Sequence, residues 1–245
     1  MITPAFMILG NPILHFTSLN STNEYAKSIL KTAQEGTVII ADEQIAGKGR
    51  FGKEWYSPKG GLWFSIILKP EKPTLSSLVS GIALCDALKT LGLGPKIKWP
   101  NDILIGSKKV AGILVEIENN TVIVGIGLNL NISTFPSDLK DNATSLFIET
   151  GKNFEKKRIL NLILKKIKNR YKMMTDKKIK ELLEDWRSYS ITLGKKIKVQ
   201  MPNRSIKGEA IDIDEDGALL VKLSNNSIQR IIAGTCTIQN NINNT

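Results

Sequence analysis

The chain is short of the residues on which most enzyme chemistry relies. Its 245 residues include one histidine, two cysteines and four tryptophans. His15 stands in a strand-like apolar stretch and reads as structural, so no Ser–His–acid triad can be assembled around it. Cys85 and Cys236 are far apart in the chain and lack metal-ligand spacing. That argues against a zinc site and a disulfide framework, and for two reduced thiols in a cytosolic protein. No apolar run approaches the roughly 18 residues of a membrane span. Residues 1–6 have no basic start before an apolar core, so no signal peptide and a cytoplasmic location are expected. What remains is cations, amides and one well-placed acid, Asp102. That set suits positioning and charge neutralisation better than covalent catalysis.

Hydrophobic residues make up 42% of the chain and charged residues 23%, the balance of a globular protein with a substantial core. The length supports one large domain, or one with a small companion. A net charge of +11 raises the question of nucleic acid. Residues 152–187 hold thirteen Lys/Arg against five Asp/Glu, which accounts for +8 of that excess. Here the cations alternate with apolar positions at helical spacing, the pattern of a solvated lysine-rich helix face.

Three glycines and three cations fall within residues 47–53 (GKGRFGK), directly after the apolar run 37–41. Glycine lets backbone approach a ligand closely, and exposed N–H groups with basic side chains suit a phosphate or carboxylate. The stretch also mimics the dinucleotide pattern G-x-G-x-x-G and most of a phosphate-binding G-x-x-x-x-G-K-[ST] loop. Both require a helix immediately downstream. The continuation WYSPKGG (55–61) cannot propagate one, and Glu54 stands where the second motif needs a hydroxyl.

In chain order, residues 13–19 read as a strand and Ser21 with Glu24 as a capping box opening a helix. Ala26, Ile29, Leu30 and Ala33 extend that helix toward a stop at Gly36. Ser21, Thr22 and Asn23 either simply cap it or present polar groups and the positive end of the dipole to a small ligand. Strands are expected at 37–41 and 62–69, then a helix at 74–91. Pro100, Asn101 and Asp102 form a turn. Strands at 110–118 and 121–131 pair around Asn119 and Asn120, and the glycines at 125 and 127 suggest close approach of a ligand or backbone. Residues 134–153 look irregular, with a short apolar piece at 143–147; 154–174 and 176–189 look helical. From 193 the texture changes to short β-type runs about ten residues apart, a small barrel of roughly 50 residues beginning near 190.

Five blocks, in order, resemble the biotin–protein ligases: STN (21–23), QIAGKGRFGKEW (44–55), KWPND (98–102), KVAGILVE (109–116) and GIGLN (125–129). Each is weak alone; the ordered set is specific and spans nearly the whole chain. The resemblance implies an α+β fold: a catalytic domain like the class II tRNA synthetase core over residues 1–190, a small SH3-like β-barrel over 191–240, and a polar tail at 241–245. It implies activation of biotin with MgATP to biotinyl-5′-adenylate, then transfer to a lysine of a biotin carboxyl carrier domain. Ser21, Thr22 and Asn23 would meet the biotin ring system, and Gln44, Lys48, Gly49 and Arg50 would contact biotin and the adenylate. Lys109 would polarise the biotin carboxylate, with Arg50 as its catalytic companion. Gly47, Trp55, Asn101, Asp102 and Asn129 would serve the nucleotide, Asp102 also as a Mg²⁺ ligand.

Two departures stand out. Lys48 replaces the family's usual arginine, trading a bidentate fork for a point charge, and only about a dozen residues precede the first strand, too few for a DNA-binding module. No DNA or membrane partner is therefore expected, and a homodimer stays open. Lipoate–protein ligase is the alternative within the same fold, and a nucleic-acid-binding protein the alternative from another class.

Overall fold

The structure is a computed structural model that describes residues 9–239. The polar tail at 241–245 lies outside the described residues. The chain runs β1 (Ile13–Leu19), α1 (Thr22–Ser28), β2 (Val38–Gln44), β3 (Leu62–Leu68), α2 (Ser76–Thr90), β4 (Pro95–Lys98), β5 (Asp102–Ile105), β6 (Lys108–Glu118) and β7 (Thr121–Leu128). Next come α3 (Leu146–Thr150), α4 (Lys156–Thr175), α5 (Ile179–Tyr189), and then β8 (Lys196–Gln200), β9 (Ser205–Ile213), β10 (Leu219–Lys222), β11 (Ile228–Ile231) and β12 (Thr235–Ile238). Seven strands form a mixed sheet in the order β1-β2-β3-β7-β6-β5-β4, parallel only between β1 and β2. The other five form a separate antiparallel sheet, β11-β10-β9-β8-β12. The fold is α+β, with the change of texture after residue 190 marking the second sheet.

Strand β7 explains the two faces of the large sheet. Val122, Val124, Ile126 and Leu128 point into the core shared with α2, α4 and α5. Ile123 points the other way, into a smaller cluster with Ala26 of α1. On that second face the next two positions are Gly125 and Gly127, so the strand loses its side chains where a hollow is needed. The β6–β7 hairpin turns through Asn119 and Asn120, both at positive φ (47° and 63°), as a two-residue turn requires.

Three sequence expectations need correction. Helix α1 ends at Ser28, far short of Gly36. Ile29, Leu30 and Ala33 still pack on its cluster through successive turns, so their spacing reported burial rather than helix. Residues 134–153 are not wholly irregular: the Ser145 hydroxyl accepts from Ile148 N at 3.0 Å and Gly151 closes α3 at φ 68°. His15 is exposed on β1 rather than in apolar surroundings, with Nε2 3.3 Å from Asp42 Oδ1.

Helix α4 carries eight Lys/Arg and no acid. It packs on the α2 side of the sheet, away from the glycine hollow. Lys156 pairs with Asp42 at 3.1 Å, while Arg170 joins Asp86 of α2 at 2.7 Å and also bonds Asp185 of α5. Tyr189 donates to the same Asp86 at 2.9 Å, tying three helices together. Part of the basic excess is therefore internal bracing.

The small sheet does not stand apart. Its Ile197, Val199 and Leu219 belong to the same apolar cluster as the main core. Arg187 of α5 grips Asp212 of β9 through two bonds (2.7 and 3.2 Å), and Trp99 N donates to Thr192 Oγ1 at 2.9 Å. These contacts bring the β11–β12 turn against the KWPND segment and the glycine loop.

Candidate active site

The N-terminus of α1, the glycine loop, the 99–101 turn, the Gly112/Gly127 pair and the β11–β12 turn enclose one cavity of about 320 Å³. All the candidate residues read from the sequence line it except Gly47. Gly47 instead anchors the loop, accepting from Trp55 N at 2.8 Å. A Cβ there would lie 2.4 Å from Trp55 O, which is why no larger residue fits.

The polar end of the cavity is a closed hydrogen-bond net. Gln44 Oε1 accepts from Thr22 N at 2.9 Å and from Thr22 Oγ1 at 3.2 Å, and Gln44 Nε2 donates to Ser57 Oγ at 2.8 Å. Ser65 Oγ sits 2.7 Å from Thr22 Oγ1 and 2.6 Å from Asn23 Oδ1. Ser21 caps α1 as its sequence position suggested, accepting from Glu24 N. Thr22 and Asn23 are turned into the net rather than spent on capping, and all three residues line the cavity.

The glycine loop is a small hairpin: Lys48 bridges Glu54 and Gly49 N donates to Lys53 O at 2.7 Å. Between them a single 3₁₀ turn runs through Phe51 at φ 57°. No helix follows, consistent with rejecting both phosphate motifs. Lys48 Nζ reaches Glu24 of α1 at 3.2 Å. Arg50 lies across the cavity mouth and donates to Gly234 O of the β11–β12 turn at 3.0 Å. Burial pulls its pKa below the usual guanidinium range, and the Asp102 charge opposes that; an arginine remains cationic either way.

Trp55 is seated on the glycine pair. A Cβ on Gly127 would come within 2.3 Å of its Nε1, and one on Gly112 within 3.2 Å of its ring. Trp63 meets it edge-on at 6.4 Å. Lys109 Nζ lies 4.7 Å from the centre of the Trp55 ring and 2.6 Å from Asp102 Oδ1. Asn101 Nδ2 donates to Ile113 O at 2.7 Å, pinning the KWPND turn to β6. Asn129 Nδ2 donates to Thr144 O at 2.9 Å, pinning the end of β7 to the following loop.

Several wall residues were missed. Phe135, Leu139, Asn142 and Ala143 arrive from the stretch read as irregular with a short apolar piece, and Gly234, Thr235 and Cys236 from the small sheet. Burial raises the Cys236 thiol to about 11. Nothing local in those segments marks them as cavity wall. Glu116, the last residue of the KVAGILVE block, bonds Asn23 and Lys27.

Residues 15–133 match the Biotin/lipoate A/B protein ligase family, and residues 192–238 the Biotin protein ligase C terminal domain. The Bifunctional ligase/repressor BirA of Bacillus subtilis is 34% identical, over 91% of this chain and 73% of that protein. The Biotin--[acetyl-CoA-carboxylase] ligase of Paracoccus denitrificans is 31% identical, over 83% of this chain and 91% of its own length. A biotin protein ligase from Aquifex aeolicus, solved in complex with biotin and ATP, superposes with a TM-score of 0.84 at 33% identity, over 93% of this chain and 98% of the other. With both of its segments matched and its fold shared across nearly the full length, the chain belongs to the biotin protein ligase family.

Proposed function

We propose that this chain condenses biotin with ATP to biotinyl-5′-adenylate and then transfers the biotinyl group to a lysine of a biotin carboxyl carrier domain. The observation that carries this reading is that one cavity joins a polar net, suited to a small heterocycle, to a cationic mouth, suited to a carboxylate and a phosphate. A pocket for lipoate would have to set an apolar dithiolane against the net of Thr22, Asn23, Gln44 and Ser65, leaving the spare acceptor capacity of Asn23 Oδ1 unused.

In the first step a biotin carboxylate oxygen attacks the α-phosphorus of ATP, and the bond to the bridging oxygen breaks to release pyrophosphate. Both partners are anionic. At 4 Å and an effective dielectric near 20, each unit pair of like charges repels by about 4 kcal/mol. Lys109 and Arg50 offset that repulsion and neutralise charge developing in the transition state. In this assignment Lys109 exchanges Asp102 for the incoming carboxylate. Ser21, Thr22, Asn23, Gln44, Lys48 and Gly49 hold biotin; Trp55, Asn101, Asp102 and Asn129 serve the nucleotide, and Gly47 acts on it only by shaping the loop. In the second step the carrier lysine amine attacks the acyl carbon and AMP leaves.

Among the described residues no group of three or more His, Cys, Asp or Glu side chains forms a metal cage. Mg²⁺ commonly takes one or two carboxylates and completes its shell with substrate phosphates and water, so Asp102 fits as a single protein ligand shared with ATP. There Mg²⁺ would offset phosphate charge. We further assign residues 1–190 to catalysis and 191–240 to an accessory unit whose Gly234–Cys236 turn completes the wall. A cytoplasmic setting suits two buried, unpaired thiols.

Incubation with biotin, ATP, Mg²⁺ and an apo carrier domain tests the reading. Biotin transfer to the carrier is the expected result, and its absence across pH and salt overturns the proposal.

A further inference from the structure

Asn23 is buried at the polar end of the cavity, with only 3% of its surface exposed. Its hydrogen-bond capacity can be counted. The amide nitrogen has two protons, and both have acceptors: Glu116 Oε2 at 2.7 Å and Leu114 O at 3.4 Å. A carboxylate only accepts, so the nitrogen must face Glu116. The amide oxygen therefore faces the opposite way and receives the Ser65 hydroxyl proton at 2.6 Å. A carboxamide oxygen has two lone pairs, and one remains. That oxygen lies directly over Gly125, where a Cβ would come within 2.2 Å of it. The missing side chain of Gly125 gives that oxygen its room, and both residues line the cavity.

Glu116 is itself held. Its Oε1 accepts from Lys27 Nζ at 2.7 Å, and Lys27 also meets Glu24 at 3.2 Å, which in turn pairs with Lys48 of the glycine loop at 3.2 Å. The carboxylate is therefore held in position by Lys27, which does not line the cavity, and Lys27 gains basicity chiefly from Glu116.

We propose that Glu116 is a positioning residue for substrate recognition: it locks the Asn23 amide so that only an acceptor faces the cavity, which selects a ring N–H donor such as those of a cyclic urea. This rests on the biotin reading above. Without Glu116 the amide can rotate and present N–H instead, and the site no longer discriminates donor from acceptor. Sites built to hydrogen-bond a substrate N–H reject analogues lacking it strongly, because their own buried group is then left unpaired.

The test compares wild type, Glu116→Ala, Glu116→Gln, and Glu118→Gln as an exposed control on the same strand, in biotinyl-adenylate formation. The probes are biotin and a carbamate analogue in which one ureido N–H is replaced by oxygen. Glu116→Ala is expected to raise the biotin KM about tenfold or more, the scale of a lost charge-assisted hydrogen bond, with the ATP KM and kcat little changed. Its preference for biotin over the carbamate should fall by a similar factor. Glu116→Gln retains a carbonyl acceptor for Asn23 and should recover most of both. If Glu116→Ala does not fold, the pair Asn23→Asp with Glu116→Gln decides. The new glutamine amide donates to the new carboxylate, an acceptor again faces the cavity, and preference for biotin should return relative to Asn23→Asp alone.

Unchanged biotin KM and unchanged preference in Glu116→Ala, or no recovery in the double variant, overturns the role of Glu116 while leaving the functional reading intact. A wild-type protein that forms no adenylate overturns the functional reading itself.

Discussion

Lys109 Nζ and Asp102 Oδ1 are 2.6 Å apart, at the centre of the cavity and beside the Trp55 ring. The two residues come from adjacent strands, β6 and β5, and both are roughly three-quarters shielded from solvent. In the proposed mechanism this cation is pre-positioned for an anionic substrate, and Asp102 would be released to another cation when the substrate arrives. Lys109→Ala should slow adenylate formation by about a hundredfold or more, the scale of a lost preorganised charge. Pyrophosphate exchange under biotin saturation measures it, and an unchanged rate would remove Lys109 from the first step.

Asp102→Asn separates the metal role from the ion-pair role. It should raise the Mg²⁺ concentration needed for half-maximal adenylate formation, because the one carboxylate offered to the ion becomes a neutral amide. An unaltered Mg²⁺ titration, with only the rate affected, would leave Asp102 as a partner for Lys109 alone.

Arg50 holds the glycine loop against the small sheet through Gly234 O. Arg50→Ala should shorten the lifetime of enzyme-bound biotinyl-adenylate, since the loop over a hydrolysable anhydride is loosened. Chasing labelled adenylate with unlabelled biotin and ATP gives the dwell time; wild-type retention would count against the loop as a cover.

The glycine floor predicts a graded series. Gly125→Ala would place a methyl 2.2 Å from Asn23 Oδ1 and Gly127→Ala one 2.3 Å from Trp55 Nε1. Both should weaken biotin binding tenfold or more, with Gly127→Ala also shifting tryptophan emission. Gly94→Ala, where a Cβ meets nothing within 4 Å, should be neutral. Isothermal titration with biotin separates these outcomes.

The ion pairs on α1 predict an acid-side loss of stability. Lys27 first, then Lys48, hold the Glu24 carboxyl below its ordinary 4.5. A group whose folded pKa is depressed contributes stability that is complete above the unfolded value and disappears as pH falls through the folded one. The contribution of Glu24 should therefore be present above pH 4.5 and lost below it. Its side chain is 41% exposed, so solvent screening keeps the effect to about 1 kcal/mol or less. Melting temperatures of wild type and Glu24→Gln should differ at pH 7 and converge as the pH falls below 4.5.

How far the site could be read from sequence depended on whether a residue's role is local. Ser21 as a cap, the Asn119–Asn120 turn and the glycines of residues 47–53 were legible because capping, positive φ and close approach are properties of a few adjacent residues. Helix α1 was overread because the spacing of Ile29, Leu30 and Ala33 records which side is buried, and a series of turns can bury the same side. Helix α3 was underread although Ser145 and Gly151 bracket it, because five residues carry too little periodicity to register.

The sequence by itself determined the α+β order of elements, the alternation that leaves Gly125 and Gly127 on one face of β7, and the five blocks that carry the family resemblance. Tertiary structure alone decided which distant groups meet: Arg50 with Gly234, and Asn23 with Glu116 ninety-three positions away. Those pairings are set by strand register and by the docking of the small sheet. Both are fixed by packing over the whole core, and neither leaves a signature in the residues on either side of the contact.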